Sequence, residues 1–414
     1  MLNFHRPGSG GPRARAGTRN RNVSLLILAA VSLASVRNAA AGEGGSRLDL
    51  KYEYFQDRNK VWNQTPAFAL IMELSRKWSL GWEQEFDVVT GASRRLGSDM
   101  VGQSGDRQLD AVSGASKVEF RHSENPSLTY SHAGVTASGA LYSSRERDYY
   151  SLSPAFSGSY DFNERNTTVG GSYSEFFDDF RPTGAFAGLG GKKRIRSLGA
   201  TLAQSLTPLT LVGLTATSIY SWGYLGHPYN PPVDSSGAFM DERVPDKKHA
   251  AALAGQIVQG YHVNDLLGSV NLDARRYLDD WGVKSNTLDL KVSQYVFDGA
   301  YVRLRARYYN QSGAAFAKPV YTGAEDYRTG DIRFYPFSSF LLGAKISSAF
   351  PDSWAAVPIL PDRWDVKFDY LVRDTRGDKM DLLPGEPRSK TYQLYGPDEE
   401  YLQGVLMAGL TFNL

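Results

Sequence analysis

The feature that most limits what this chain can fold into is an alternation of apolar with charged or small residues, at period two, held for about ten residues at a time. In the first such segment Leu48, Leu50, Tyr52 and Tyr54 share one face while Asp49, Lys51 and Glu53 share the other. Trp82, Phe86 and Val88 oppose Glu83, Glu85 and Asp87, and Val270, Leu272 and Ala274 oppose Asn271, Asp273 and Arg275. Leu288, Leu290 and Val292 then oppose Asp289, Lys291 and Ser293, and Val302, Leu304, Ala306 and Tyr308 oppose Arg303, Arg305 and Arg307. Val366, Phe368 and Tyr370 oppose Asp365, Lys367 and Asp369. Successive side chains of a strand point to opposite faces, so each segment predicts a strand with one apolar and one ionic face.

A soluble sandwich also alternates, placing its apolar face in a core and its charges in water. Two features favour a membrane barrel instead: segments about twice the five or six residues usual in globular proteins, and tight turns that alternate with long polar connections. After the N-terminal segment the chain holds no apolar run long enough for a spanning helix, so any crossing must use strands that close on themselves. Length alone would suggest two or three domains. The 24 tyrosines, 20 phenylalanines and 41 glycines, evenly spread, suit a single barrel with aromatic girdles. The expected fold is all-β, a transmembrane antiparallel up-and-down β-barrel of about 16 strands, or about 14 if the segment at 117–122 and the outer turn near Arg145 drop out.

Tight turns are expected at Arg76-Lys77, Glu124-Asn125-Pro126, Asn163-Glu164-Arg165, Thr207-Pro208, Asn264-Asp265, Asp298-Gly299 and around 351–362, all facing the periplasm. The long stretches at 91–114, 178–193, 224–247, 311–335 and 373–400 are expected at the outer end.

The first 41 residues carry Arg6, Arg13, Arg15, Arg19, Arg21 and Arg37, no acidic residue, an apolar run from Val23 to Val36, and Ala39-Ala40-Ala41. This order predicts a secretory signal peptide over 1–41, cleaved before Gly42, and a barrel over 42–414 bound for the bacterial outer membrane. Without the six leader arginines, 40 of the 46 basic residues remain against 44 acidic ones, a formal charge of −4. That balance lacks the basic footprint of nucleic-acid binding. The absence of cysteine excludes disulfides, thiolate metal sites, a cysteine nucleophile and a lipidated cysteine.

The candidate lumen-lining charges are Asp49, Lys51, Glu53, Glu83, Glu85, Asp87, Asp273, Arg275, Asp289, Lys291, Arg303, Arg305, Arg307, Asp365, Lys367 and Asp369. Neighbouring strands lie about 4.8 Å apart, which crowds the set from Asp273 to Arg307. Opposed rows of charge select polar solutes by sign and size, or else neutralise one another and brace the wall. Three arginines near Asp289 also suit bidentate binding of an anion. His122, His132, His227, His249 and His262 form no metal or catalytic spacing, and Ser131 and His132 point to opposite faces, so neither an enzyme nor a metal or other cofactor is expected. Asp279-Asp280-Trp281 and Asp398-Glu399-Glu400 offer oxygen ligands for a divalent cation but suit solvated loops equally. The Gly-Ala-Ser segments at Gly91 and Gly114 lack the strand-to-helix setting of a phosphate loop and are read as turns.

Residues 401–414 alternate Leu402, Gly404, Leu406, Ala408, Leu410, Phe412 and Leu414 on one face. This resembles the terminal strand read by the barrel-assembly machinery, although that strand usually ends in phenylalanine. A set of motifs carries a wider resemblance: Val89-Thr90-Gly91-Ala92-Ser93, Val112-Ser113-Gly114-Ala115-Ser116, Tyr142-Ser143-Ser144 with Asp148-Tyr149-Tyr150-Ser151, Tyr160-Asp161-Phe162-Asn163 with Asn166-Thr167-Thr168, His227-Pro228-Tyr229-Asn230, Glu242-Arg243-Val244-Pro245-Asp246, Arg276-Tyr277-Leu278-Asp279-Asp280-Trp281-Gly282, and Arg305 through Ser312. In order and spacing they resemble the outer-membrane-type barrels catalogued as domain of unknown function 3570, over most of the mature chain. The resemblance implies a barrel and no particular activity; the family's association with flavin-transfer and thioredoxin-like envelope proteins implies an envelope partner. Taken together, the sequence points to a porin-like channel or transport component for polar or charged small solutes in contact with outer-membrane lipid. A non-conducting scaffold or receptor in an envelope assembly is the alternative, and a barrel enzyme the outlier.

Overall fold

A computed structural model describes residues 45–57, 62–90, 118–228, 231–232, 234, 238–318, 320–351, 360–374 and 401–414. Its strands, in chain order, are β1 (Arg47–Asp57), β2 (Trp62–Ser75), β3 (Trp78–Thr90), β4 (Val118–His132), β5 (Val135–Arg145), β6 (Tyr149–Phe162), β7 (Thr167–Phe180) and β8 (Gly191–Thr207). They continue as β9 (Thr210–Gly223), β10 (Lys247–Val263), β11 (Leu266–Asp279), β12 (Lys284–Phe297), β13 (Ala300–Gln311), β14 (Phe337–Ala349), β15 (Arg363–Asp374) and β16 (Tyr401–Asn413). Each pairs antiparallel with its chain neighbours, and β1 pairs with β16 to close the sheet. The 16-strand expectation therefore holds, and the smaller count does not.

The alternation decides which face turns outward. Leu304 on β13 is 59% exposed, whereas Asp289, on the other face of the adjacent β12, is 3% exposed. A belt of half-exposed leucines and aromatics loses free energy in water but not in hydrocarbon. Closure leaves no strand edge unpaired in that medium. The ionic face is thus the inner one, and a barrel of this strand number has room for an aqueous interior.

Tight turns fall at Arg76-Lys77, 163–166, Asn264-Asp265 and Asp298-Gly299 as expected, and the turn after β8 lies one residue later, at Pro208-Leu209. The expected turn at Glu124-Asn125-Pro126 is a correction: these residues lie inside β4, and the chain reverses at Ala133-Gly134. Both turn residues have positive φ, +52° and +81°, the requirement of a two-residue hairpin, and Gly134 meets it without strain. Pro126 misleads because proline lacks an amide donor and normally interrupts a strand. Here it pairs with Trp82 of β3 while the β4–β5 ladder skips from Glu124 to Ser127, so the missing donor falls where no ladder bond is made. Pro66 and Pro154 sit in the same way at skips of the β2–β3 and β6–β7 ladders.

The other end of the barrel carries the long connections. Segments 224–246 and 312–336 interlock through isolated bridges Asp234↔Tyr321 and Arg243↔Arg328. A small apolar cluster of Trp281, Val283, Ala314 and Ala317, packed with Leu225, Val244, Phe316 and Phe334, ties both segments to the β11–β12 turn. The leader over 1–41, the Gly91 and Gly114 segments, most of the turn at 351–362 and Asp398-Glu399-Glu400 lie outside the described residues.

Candidate functional site

All 16 candidate charges lie on the inner face of their strands, since each alternates with an outward apolar neighbour. The structure divides them. On β11 to β15 they form a belt of ion pairs. Register sets Asp273 opposite Asp289 and Asp289 opposite Arg307, with Lys291 opposite Arg305. Like charges face each other in the first pair, and the long cations relieve this by reaching diagonally. Lys291 donates to Asp273 at 2.8 Å, while Arg305 holds Asp289 from Nη2 at 2.7 Å and from Nε at 3.1 Å. Arg307 donates from Nε to the same carboxylate at 2.8 Å.

Arg305 also reaches past β14 to Asp369 on β15 at 3.4 Å, and Lys367 completes that pair at 2.6 Å. Gly343 on β14 makes this reach possible, because a Cβ there would collide with the Asp369 carboxylate. Lys345 bridges to Asp365 at 3.1 Å. Lys51 lies across Gly409 beside Asp365, with Glu53 two residues along the same face. Two arginines, not three, converge on Asp289: Arg303 donates to Ser293 Oγ at 2.9 Å and stacks over Tyr301. Asp289 and Asp369 take up all three nitrogens of Arg305, and Asp289 takes Nε and Nη2 of Arg307, so these guanidinium groups are largely committed to the wall.

The acidic residues of β3 are paired in the same manner. Arg121 of β4, absent from the sequence-derived set, holds both Asp87 and Glu85, the latter at 3.0 Å. Glu83 accepts from Asn125 at 3.1 Å, and Asp49 from Thr411 at 2.7 Å and from Arg47. The acid-rich β3 stands six strands from β13 in the closed order. The β11 to β15 charges are paired mainly across strands, whereas among the described residues the three carboxylates of β3 share the single cation Arg121 and keep a net negative charge.

The second region is the long-loop end. There the 312–336 segment folds inward against the wall and, with β8 to β13, lines an open cavity of about 380 Å³. Its charged lining is Lys193, Lys248, Arg275, Arg333 and Asp279, with Tyr277, Tyr309 and Gln311 as further polar groups. Lys193 pairs with Asp178 at 3.5 Å, and Arg333 donates to Asp331 at 2.8 Å. Lys248 instead sits over the Trp281 ring at 4.9 Å and Arg275 over Tyr277 at 5.7 Å; among the described residues neither joins a salt bridge. Asp279 is taken up by the turn itself, accepting from the Val283 N–H at 2.8 Å and the Tyr277 hydroxyl at 2.9 Å. That occupancy accounts for the Asp-Asp-Trp sequence as a structural turn.

Behind the cavity the two loops meet at Glu242, which accepts from the Thr329 hydroxyl at 2.5 Å and from the His227 backbone N–H. Burial pushes the Glu242 carboxyl up to about 8 and the His227 imidazole below its ordinary value. Burial works to raise Asp331 as well, but adjacent Arg333 overrides it and holds that carboxyl below the usual range. Of the cavity's charged residues, Arg275 alone belongs to the sequence-derived set. Lys193 and Lys248 are brought near each other by the register of β8, β9 and β10, and the inward-folded loop adds Arg333.

A closed antiparallel barrel of 16 strands, apolar outside, ionic inside and with loops folded into one mouth, is an outer-membrane-type β-barrel. The chain belongs to the family described as "Protein of unknown function (DUF3570)", whose model matches residues 23–386. No curated protein matches it. Among solved structures it is similar to a bacterial polysaccharide outer membrane secretin, at 9% identity and TM-score 0.46, covering 90% of this chain and 99% of that one. It is also similar to OccK1 (OpdK) of Pseudomonas aeruginosa, at 9% identity and TM-score 0.41, over 89% and 98%. The siderophore receptor PirA of Pseudomonas aeruginosa is matched at 11% identity and TM-score 0.41, over 80% and 56%.

Proposed function

We propose that the chain, freed of residues 1–41, sits in the bacterial outer membrane as a porin-like passage for small polar solutes, and that its long-loop mouth prefers anions. The carrying observation is the polar cavity at that mouth, where Lys248 and Arg275 hold ring partners instead of carboxylates. The cavity lining carries four cations against the single carboxylate Asp279, and Lys248 and Arg275 spend no salt bridge among the described residues, so the excess positive field acts on an entering solute. The paired belt of β11 to β15 acts differently: it lines the route with polar groups while its charges cancel locally. Liposome swelling with matched anionic, neutral and cationic solutes tests the reading. Faster entry of the anion supports it, and entry ordered by size alone, or none, overturns it.

The interlocked loops also favour a second reading, in which the mouth holds a solute or an envelope partner without conducting. Binding of a small dicarboxylate to refolded protein with no accompanying conductance would select that reading.

A further inference from the structure

A different set of charges lies on the outside of the barrel. Lys193 and Ile195 line the cavity, so Lys192, Arg194 and Arg196 on β8 point the opposite way. By the same parity Lys248 places Lys247 outward on β10, Arg275 and Tyr277 place Arg276 outward on β11, and Ser285 places Lys284 outward on β12. Among the described residues of β8 to β12, every charged side chain on the outer face is Lys or Arg, and all six lie at the long-loop end. The adjacent β7 adds the acids Glu175 and Asp179, so six cations against two carboxylates leave a net +4.

Of the six cations, only Arg196 is in a salt bridge with one of these acids among the described residues. Asp179 is engaged by Arg181 of the following loop, and Glu175 by Arg196 at 3.4 Å and the Tyr173 hydroxyl at 2.5 Å. Among the described residues Lys192, Arg194, Lys247 and Lys284 join no salt bridge. Aromatic rings mark the level: Arg194 lies over Phe177 at 4.9 Å, Arg196 over Trp222 at 5.4 Å, and Tyr220 stacks on Trp222 at 5.0 Å. Amphipathic rings at the end of an apolar band sit at headgroup depth, where outward charge is least costly.

We infer that the outer rim of β8 to β12 is a binding site for phosphorylated lipid headgroups of the surrounding leaflet. An outward ring of both signs would serve solubility alone, whereas one sign in an arc about 19 Å wide, four strand spacings, matches a row of headgroup phosphates. Guanidinium forks and ammonium groups both bind phosphate oxygens, and Arg194 and Arg196 are held in place by the rings beneath them.

The test uses the folded mature chain in neutral detergent, with native mass spectrometry after addition of bisphosphorylated lipid A or its dephosphorylated form. Wild type should retain the phosphorylated lipid and not the other. The K192Q/R194Q/K247Q/K284Q variant, which breaks no ion pair among described residues, should retain about ten-fold less or lower. Equal retention by the variant, or equal retention of the dephosphorylated lipid, overturns the proposal. So does complete displacement by inorganic phosphate at an ionic strength where chloride displaces nothing, since that marks a site for free anions. Heat-modifiable gel mobility reports folding, and R194Q alone serves if the quadruple variant does not fold.

Discussion

The wall belt of β11 to β15 and the mouth above it are made of the same residue types, yet they handle charge in opposite ways. In the belt, Asp273, Asp289, Asp365 and Asp369 each have a cation within hydrogen-bonding reach, and Asp289 and Asp369 have two. At the mouth, Lys248 and Arg275 rest on rings, and Asp279 is consumed by its turn. Strand register explains the belt, because residues two apart on adjacent strands meet by geometry alone. At the mouth, register sets Lys193, Lys248 and Arg275 on β8, β10 and β11, and the inward-folded loop adds Arg333. Charges locked in salt bridges brace and those outside them select, so the two regions should respond differently to substitution.

The largest effect is expected in the belt. Asp289→Ala strips Arg305 and Arg307 of their shared acceptor and should destabilise the barrel by about 3 kcal/mol, read from urea unfolding in micelles. A loss as small as that of an exposed surface residue would dissolve the distinction between the two regions. At the mouth the pattern reverses: Lys248→Gln with Arg275→Gln should change unfolding by about 0.5 kcal/mol or less, while anion-to-cation selectivity drops several-fold, roughly as for removal of charges from a pore constriction. Gly343→Ala sharpens the comparison within the belt. Its methyl displaces the Asp369 carboxylate and severs the reach of Arg305 across β14, at a cost of about 1 kcal/mol with the Asp289 pairs intact.

The smallest effect concerns the loop junction. Glu242, pushed up to about 8, binds its proton more tightly in the closed loop pair than when the loops part. Its contribution is complete below the ordinary value of 4.5 and is lost as pH rises to about 8. His227, lowered from 6.5 by burial, acts with the opposite sign and withdraws support as pH falls below 6.5. Protease nicking of 312–336 should therefore rise from pH 6.5 to 8 in wild type, and Glu242→Gln should flatten that rise.

Much of the fold was legible because its determinants are local. Period-two alternation identified the faces of all six quoted segments, and Asn264-Asp265 and 163–166 carry turn chemistry in their own side chains. The turn at Ala133-Gly134 was missed because Pro126 sends the louder signal, and whether proline ends a strand depends on which ladder its missing donor faces. The belt was legible as a set of residues but not as pairs: diagonal reach and the opening at Gly343 assign Arg303 to Ser293 and Arg305 to two carboxylates. The mouth was the least legible part. Lys193 and Lys248 come together through pairing of strands far apart in sequence and Arg333 through loop packing, and the one local sign was Trp281, a large apolar ring in an otherwise polar turn.

The most direct test of anion preference at the mouth is the reversal potential of refolded residues 42–414 in a planar bilayer under a potassium chloride gradient. Lys248 and Arg275, outside any salt bridge among the described residues, predict stable steps whose reversal potential lies on the chloride side of zero, moving toward zero in the double glutamine variant. Steps selective for potassium, or a folded barrel that passes no current, would contradict it.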